Sequence, residues 1–252
     1  MVIETGSVIS NIKFASNVYL LTVELPQIAS IAEPGQFCNI KVSGNSYPLL
    51  RRPFSIADVN GTHITFIFNI VGEGTEILSL KKMGNRINIL GPLGQGFNYS
   101  LKIETAVVIA GGLGAAPFPF LIKVFNPKVE VLSFIGGRTE NDLITFGMKN
   151  IFLSTDDGSA GLKGTVLDLV AQNQNLFHTN NTKIFACGPT PMLRAVKNYA
   201  DKNKIDCELS VENVMACGFG VCQGCPIKKS NGDGYYLVCK DGPVFNALDI
   251  AI

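Results

Sequence analysis

The chain has 252 residues, of which 46% are hydrophobic and 16% are charged, and its formal net charge is +1. It is long enough for one large domain or for two ordinary domains with a small module, and no basic balance calls for nucleic acid or an anionic membrane. With no signal-peptide pattern and no run of the roughly 20 apolar residues that span a membrane, the sequence predicts a soluble, cytoplasmic protein.

The first hundred residues predict β-structure with one short helix, at residues 75–83. Apolar and polar residues alternate along several of the predicted strands, and turn signals such as Asn60-Gly61 separate them. The predicted strands are residues 18–25, 36–42, 54–58, 63–71 and 86–90. This pattern is typical of a small antiparallel barrel.

From about residue 101 onward, short apolar strands alternate with helices. Strands are predicted at residues 106–110, 129–135, 151–154 and 183–186, and helices at residues 116–125, 166–173 and 191–201. This rhythm predicts a parallel sheet that is covered on both faces. The sequence therefore predicts three parts, at residues 1–100, 101–209 and 210–252.

Two short motifs in the β-rich part are candidates for binding a flavin nucleotide. In Arg51-Arg52-Pro53-Phe54-Ser55, an arginine can pair with a pyrophosphate, and the ring and hydroxyl that follow can contact a flavin. Val71-Gly72-Glu73-Gly74-Thr75 precedes a predicted helix, whose first N–H groups favour phosphate. Taken alone, each motif also has an ordinary structural interpretation: surface arginines in the first case, and a turn with Thr75 as helix N-cap in the second.

Two loops in the α/β part each connect a predicted strand to a predicted helix. Gly111-Gly112-Leu113-Gly114 has the context of a dinucleotide-binding glycine loop, although it departs from the G-x-G-x-x-G pattern. Cys187-Gly188-Pro189 follows a strand of an open α/β sheet, where ligands bind, and its thiol can lie against a nicotinamide ring. A plain turn and a buried cysteine are the alternatives, and these residues leave both NAD and NADP open.

Four of the seven cysteines lie near the C-terminus with the spacing C-x4-C-x2-C-x13-C, at Cys217, Cys222, Cys225 and Cys239. The first three have the plant-type ferredoxin spacing for a [2Fe–2S] cluster, and the glycines between them let the backbone fold closely round it. The alternative is a structural zinc site, although such sites usually show two C-x2-C pairs. Among the remaining cysteines, Cys38 and Cys207 lie in or beside apolar stretches, which predicts core positions.

In their order along the chain, these motifs resemble those of the ferredoxin reductase-like superfamily of flavoproteins. With the cysteine module added, nearly the whole chain resembles the family of electron-transfer subunits of class 1B dihydroorotate dehydrogenases. The stretches that carry the resemblance are Arg52-Pro53-Phe54-Ser55, Gly72-Glu73-Gly74-Thr75, Ala186-Cys187-Gly188-Pro189, Met215-Ala216-Cys217-Gly218 and Val238-Cys239-Lys240-Asp241-Gly242-Pro243-Val244-Phe245.

This resemblance implies a ferredoxin reductase-like fold: an antiparallel β-barrel that binds FAD, a parallel α/β domain that binds NAD, and a C-terminal [2Fe–2S] module. It also implies a heterotetramer with two FMN-containing catalytic subunits, whose electrons pass through the cluster and FAD to NAD⁺. No side chain of this chain is expected to act as a general base on dihydroorotate. The expected cofactor-binding residues are Arg52, Pro53, Phe54, Ser55, Ile67, Phe68, Asn69, Gly74 and Thr75 for FAD, Gly111, Gly112, Gly114, Cys187, Gly188 and Pro189 for NAD, and Cys217, Cys222, Cys225 and Cys239 for the cluster.

Two other functions stay open at this point. One is an NAD(P)H–ferredoxin oxidoreductase-type subunit, which shares the domain order and serves another partner. In bifurcating members of that group an aspartate is expected among the cluster ligands, so four cysteines favour the first interpretation. The other is a non-enzymatic binding module stabilised by zinc.

Overall fold

The computed structural model describes residues 1–44, 47–99, 102–177 and 181–252. Its N-terminal part contains strands β1 (Val2–Ala15), β2 (Val18–Glu24), β3 (Phe37–Lys41), β4 (Arg52–Asn60), β5 (His63–Asn69) and β6 (Arg86–Leu93), and short helices α1 (Pro26–Ala29) and α2 (Glu73–Ser79). The strands close into an antiparallel barrel in the order β1-β2-β5-β4-β3-β6. The predicted barrel is therefore confirmed.

Strand β1 is the part of the barrel that the sequence did not predict. In its first half Glu4 and Gly6 face the interior, whereas Ile3 faces outward and is 65% exposed. The Glu4 carboxylate accepts hydrogen bonds from two backbone N–H groups of α1. Gly6 lies so close to β2 that a Cβ there would come within 2.2 Å of the Glu24 carbonyl oxygen. Because polar and glycine positions face inward, alternation of apolar residues could not reveal this strand.

The middle of the chain forms an α/β unit. Its strands are β7 (Thr105–Gly111), β8 (Glu130–Gly137), β9 (Ile151–Thr155), β10 (Leu162–Lys163), β11 (Thr182–Cys187) and β12 (Asp206–Ser210), and its helices are α3 (Phe118–Val124), α4 (Val166–Gln172) and α5 (Thr190–Asn203). These strands are parallel, in the order β10-β9-β8-β7-β11-β12. In the part of the chain that the structure describes, no helix is long and apolar enough to cross a membrane.

The C-terminal segment contains β13 (Pro226–Lys229), β14 (Tyr235–Leu237), α6 (Val238–Asp241), β15 (Val244–Asn246) and β16 (Ile250–Ala251). Strands β14, β13 and β16 form a small antiparallel sheet. Strand β15 instead pairs antiparallel with β12 and extends the large sheet. The C-terminal segment is therefore joined to the α/β unit through this strand pair. The predicted boundary near residue 210 did not include that pairing.

The predicted strands and helices of the α/β part are confirmed, with β10 and β12 as additional strands. Helix α3 begins at Phe118, later than the predicted residue 116, because Gly112–Ala115 forms a 3₁₀ turn and Pro117 precedes the α-helix. In the barrel part, α2 begins at Glu73, before the predicted residue 75. Its N-cap is Gly72, so Thr75 lies inside the first turn and is not the N-cap.

The strand order of the α/β sheet reverses at β7, which lies between β8 and β11. The chain runs outward from β7 to β10 and then returns to place β11 on the other side of β7, so Cys187 pairs with Ala110. Open α/β sheets bind ligands at such a reversal, beyond the carboxyl ends of the strands. The loops that follow β7 and β11 meet at this position.

A buried cation joins the end of the barrel part to the α/β sheet. The Lys183 side chain is 4% exposed, and its ammonium lies 3.2 Å from a carboxylate oxygen of Glu208 and 3.3 Å from one of Asp206. It also donates a hydrogen bond to the carbonyl oxygen of Asn98, and Glu208 accepts one from the Asn98 N–H. Burial raises the pKa of Glu208, and the nearby ammonium opposes that rise. The paired charges fix the connection between the two parts.

Helix α4 offers a test of how local capping contributes to this fold. The Thr165 hydroxyl accepts a hydrogen bond from the Asp168 N–H at 3.2 Å, and the Asp168 carboxylate accepts one from the Thr165 N–H at 2.8 Å. We expect Thr165→Ala to lower the free energy of unfolding by about 1 kcal/mol and the melting temperature by about 2–4 °C. Thermal unfolding measures the change. Thr165→Ser keeps the hydroxyl and should behave like the wild type; equal losses in both variants would contradict the capping role.

Candidate functional site

A cavity of about 610 Å³ lies between the barrel and the α/β unit. Its volume falls within the range of small-molecule and cofactor sites, about 300–1,000 Å³. Many of the residues predicted to bind FAD and NAD line it together, from strands β4 and β5, helix α2 and the end of β11: Arg52, Pro53, Phe54, Ser55, Ile67, Phe68, Asn69, Gly74, Thr75 and Cys187. The cavity thus collects motifs that are far apart in the sequence.

The two adjacent arginines at the start of β4 have different surroundings. Arg51 donates hydrogen bonds to the backbone carbonyls of Asn39 and Asn88 and so ties neighbouring strands of the barrel together. Arg52 lines the cavity, hydrogen-bonds the Leu50 carbonyl, and packs on Gly74, where a Cβ would come within 3.0 Å of its Nε. The guanidinium of Arg52 therefore lies against the glycine turn that begins α2.

Thr75 shapes that glycine turn. Its hydroxyl oxygen accepts hydrogen bonds from the N–H groups of Val71 and Gly72, at 2.9 and 3.2 Å, and its hydroxyl donates to the Gly72 carbonyl at 2.8 Å. A cationic guanidinium beside a tight turn with two glycines, Gly72 and Gly74, suits a diphosphate, because the anion can approach both the cation and the backbone. The donor chemistry here fits the pyrophosphate of FAD.

One part of the cavity lining was not predicted. It is formed by the end of β12 and the segment that follows it, with Ser210, Val211, Glu212, Asn213 and Met215. Met215 precedes Cys217, a predicted cluster ligand, by two residues, and an extended chain covers at most about 7 Å over two residues. The cavity and the cysteine loop are therefore in close proximity.

Tyr47 also lines the cavity and was missed by sequence reasoning. Glu73 lies in the predicted glycine motif, which gave its side chain no role; it lines the cavity too, and a hydrogen bond to its carboxylate raises the pKa of the Tyr47 phenol. Tyr47 precedes β4 in a loop that carries no motif of its own. The only sequence signal that could have placed Tyr47 at the cavity is its position a few residues before the Arg52 motif.

Val211 and Glu212 line both this cavity and a smaller one of about 280 Å³, which Gly188, Pro189 and Thr190 also line. Burial raises the pKa of the Glu212 carboxyl. Burial, and then the charge of Glu212, raise the pKa of the Cys187 thiol to about 12. Cys187 is therefore a neutral thiol at physiological pH and can pack against a ring without acting as a nucleophile.

The glycine loop after β7 packs directly against the loop after β11. A Cβ on Gly114 would come within 2.3 Å of the Cys187 carbonyl oxygen, and one on Gly111 within 2.7 Å of the Met192 sulfur. These two glycines therefore allow the loops to approach each other. Gly112 differs, since its φ is +54° and a Cβ there would meet nothing within 4 Å. It is the open position of the loop, and these loop glycines, with Gly188 and Pro189, do not line the larger cavity.

The four predicted cluster cysteines form two pairs. The sulfurs of Cys225 and Cys239 are 3.1 Å apart. The N–H of Cys222 points at the sulfur of Cys217 at 3.4 Å, and the Cys222 thiol hydrogen-bonds the Cys217 sulfur. Further N–H groups point at sulfur within these pairs, from Gly224 to Cys222 and from Cys239 to Cys225, both at 3.4 Å. Such N–H groups orient and stabilise thiolate ligands.

Cys217 and Cys239, one thiol from each pair, differ in the direction of their pKa shift. Burial raises the pKa of Cys217, but hydrogen bonds from the backbone of Cys222, Phe219 and Val221 outweigh it, and the pKa falls to about 6. Burial and the neighbouring Cys225 thiol raise the pKa of Cys239 to about 12. A buried thiol of this kind loses its proton when a cation binds it.

The paired arrangement fits a two-iron cluster. A structural zinc ion takes four ligands around one centre, whereas the four thiolates of a [2Fe–2S] cluster are shared between two irons. Two thiol pairs with N–H groups pointing at sulfur match the second arrangement.

The remaining cysteines are structural, as predicted. Cys38 is fully buried in the barrel, and Cys207 is 3% exposed in β12. Burial strongly raises the pKa of both thiols. Neither residue lines the cavity described above.

Comparisons with known proteins agree with this site. Residues 212–251 match the model of the iron–sulfur cluster binding domain of dihydroorotate dehydrogenase B. Over 100% of both chains, the protein is 36% identical to the dihydroorotate dehydrogenase B (NAD(+)), electron transfer subunit, of Fusobacterium nucleatum subsp. nucleatum. It is 38% identical to the protein of the same name from Bacillus velezensis, over 96% of each chain.

Among solved structures, the NADH-dependent reduced ferredoxin–NADP oxidoreductase, studied for flavin-based electron bifurcation, has the same fold. It superimposes with a TM-score of 0.83 and 26% identity, over 98% of this chain and 89% of that chain. The ferredoxin reductase-like fold is thereby confirmed. The identity to the curated relatives extends over the whole length, through barrel, α/β unit and cysteine module alike, so the chain belongs to the family of electron transfer subunits of NAD-linked dihydroorotate dehydrogenase B.

Proposed function

We propose that this chain carries electrons from the FMN of a dihydroorotate-oxidising catalytic subunit to NAD⁺, in the pyrimidine biosynthesis of the cytoplasm. The observation that carries the proposal is the path of the segment after β12: it lines the flavin cavity through Met215 and then enters the four-thiol site at Cys217. When bound, FAD and the [2Fe–2S] cluster supply the one- and two-electron chemistry, and the protein binds and orients them.

The barrel holds FAD in this proposal. Arg52 and the turn at Gly74 and Thr75 bind the diphosphate, because a guanidinium and a glycine backbone lie together there. Pro53, Phe54 and Ser55 in β4 and Ile67, Phe68 and Asn69 in β5 flank the flavin ring, since all of them line the cavity. The neutral thiol of Cys187 faces the same space from the α/β unit.

The α/β unit holds NAD⁺ at its strand reversal. The loop with Gly111, Gly112 and Gly114 and the loop with Cys187, Gly188 and Pro189 pack together there, and Gly112 leaves its backbone open to a ligand. This is the place where doubly wound sheets bind dinucleotides. No side chain of the chain acts as a general base on dihydroorotate, since that substrate belongs to the catalytic subunit.

The division of labour follows the three predicted parts: residues 1–100 for FAD, 101–209 for NAD⁺, and 210–252 for the cluster, with β15 of the last part completing the sheet of the second. The assembly that fits this role is a heterotetramer of two catalytic and two electron transfer chains. The cysteine usage supports a reducing compartment, because four thiols serve a cluster and Cys38, Cys187 and Cys207 are buried and unbridged.

A second candidate is an NAD(P)H–ferredoxin oxidoreductase-type subunit that serves another partner. The fold shared with the NADH-dependent ferredoxin–NADP oxidoreductase favours it. The identity of the dihydroorotate dehydrogenase relatives is higher and covers the whole chain, which favours the first proposal. All four cluster positions are cysteine here, with no aspartate among them.

Co-expression with the catalytic subunit tests the proposal. We expect a stable complex with FAD and a [2Fe–2S] cluster in this chain, FMN in the partner, and NAD⁺ reduction that depends on dihydroorotate. Native mass spectrometry gives the stoichiometry, and visible and electron paramagnetic resonance spectra give the cofactors. A colourless protein with one zinc would overturn the redox role. A flavin and cluster protein that binds no dihydroorotate-oxidising subunit would support the second candidate.

A further inference from the structure

Asn39 is a buried polar side chain of the barrel that contacts the cysteine loop. It lies in β3, is 1% exposed, and donates a hydrogen bond from its carboxamide nitrogen to the Cys217 carbonyl oxygen at 3.1 Å. Its carboxamide oxygen is buried and has no hydrogen-bond partner among the described residues. A buried amide with an unpaired oxygen opposes folding, and a leucine of nearly the same shape would not. Barrel packing alone therefore does not account for an asparagine here.

The cysteine loop is shaped to receive this amide. Gly218 has a φ of +80°, in the left-handed region that favours glycine. A Cβ on Gly218 would come within 2.0 Å of the Asn39 carboxamide nitrogen, so any side chain there would displace the amide. The glycine that follows the first cluster ligand thus serves the contact with the barrel as well as the turn of the loop.

The backbone of Asn39 is connected to the strand that carries the flavin motif. Asn39 lies opposite Pro53 in the register between β3 and β4. Its carbonyl oxygen accepts a hydrogen bond from Arg51, the neighbour of Arg52, at 3.3 Å. One residue therefore contacts the cysteine loop with its side chain and the flavin-binding strand with its backbone.

From these contacts we infer that Asn39 is a positioning residue, which fixes the first cluster ligand, Cys217, relative to the flavin-binding strand β4 and so sets the geometry for electron transfer between cluster and flavin. The inference rests on the proposed function, because it concerns the two groups that this chain is proposed to hold. The hydrogen bond from Asn39 restrains the backbone carbonyl of Cys217. Loss of this bond therefore makes the cysteine loop more mobile at its first residue. Electron transfer depends on the separation and relative orientation that this contact maintains.

Two variants of Asn39 separate positioning from a merely structural role. Asn39→Leu keeps the shape and removes both the donor to the Cys217 carbonyl and the unpaired buried oxygen; the two effects oppose each other, so the melting temperature should change little. Asn39→Asp keeps the shape but presents an oxygen to the Cys217 carbonyl and buries a charge, and should lower the melting temperature. We nevertheless expect both variants to make the cysteine loop more mobile. In the complex with the catalytic subunit, amide hydrogen exchange at residues 218–222 should accelerate by about fivefold, the factor that corresponds to one net hydrogen bond.

The reduced cluster provides the second readout. Its electron paramagnetic resonance line shape should broaden in both variants, and electron exchange with FAD should slow. The matched control is Asn11→Leu, because Asn11 is also a barrel asparagine with a buried, unpartnered oxygen, and it donates to backbone carbonyls at the end of α2. That variant should lower the melting temperature and leave the cluster signal and loop exchange as in the wild type.

Wild-type exchange and line shape in Asn39→Leu would overturn the inference. Changes that follow the melting temperature across the three variants would also overturn it, since they would mark a structural effect. A different result would contradict the proposed function: a wild-type protein that binds neither cluster nor flavin. That result can be obtained before any variant is made.

Discussion

Replacing Cys222 with alanine is expected to abolish cluster binding and to stop electron transfer from the catalytic subunit, while FAD stays bound. Cys222 is exposed and forms one of the two thiol pairs with Cys217. Because each iron of the cluster takes two of the four thiolates, removing one leaves an open iron that the neighbouring side chains cannot satisfy. The residues proposed to bind FAD lie in the barrel, outside the cysteine loop, so the flavin content should remain one per chain.

Iron and acid-labile sulfide analysis, with flavin absorbance, measures this outcome on the purified complex. NADH should still reduce the flavin of the variant, whereas dihydroorotate should not reduce NAD⁺. Cys207→Ala is the matched control, since it removes a thiol that is buried in β12 and paired with no other cysteine. It should keep the cluster. A Cys222→Ala protein with a full complement of iron, or one that loses FAD but keeps the cluster, would contradict the assignment.

The sequence predicted most of the fold because most of the strands have a recognisable local pattern of apolar residues. β5 shows the reason: Ile64, Phe66 and Phe68 are fully buried and alternate with polar or less buried residues. β1 was missed since its interior positions include a glutamate and a glycine whose role depends on α1 and β2. The pairing of β15 with β12 was missed for the same kind of reason, since it joins segments about 40 residues apart.

The site shows the same limit. The cysteines and the Arg52 motif have characteristic spacings or chemistry, so they could be identified from the chain alone. Glu212 and Met215 have no such pattern, and only the fold brings them to the cavity. The glycine loop is an intermediate case: its position at a strand end was predicted, but Gly111 and Gly114 turn out to be required for contact with the loop after β11.

Arg52→Ala is expected to weaken FAD binding by about 10- to 100-fold, which corresponds to the loss of hydrogen bonds to a charged group worth about 1.5–3 kcal/mol. The reason is geometric. The guanidinium lies in the cavity against Gly74, where it can contact a diphosphate that also meets the backbone of the glycine turn. Lysine at this position should restore only part of the affinity, because an ammonium cannot make the two parallel hydrogen bonds of a guanidinium.

The neighbouring arginine provides the control that makes this test specific to the cavity. Arg51→Ala removes the same charge one residue away, but Arg51 points to the carbonyls of Asn39 and Asn88 in the barrel wall. We expect that variant to lower the melting temperature and to change FAD affinity far less than Arg52→Ala does. Flavin fluorescence on titration of the deflavinated complex measures both constants. Equal affinities in wild type and Arg52→Ala would show that the diphosphate lies elsewhere, because no other barrel guanidinium among the described residues lines the cavity.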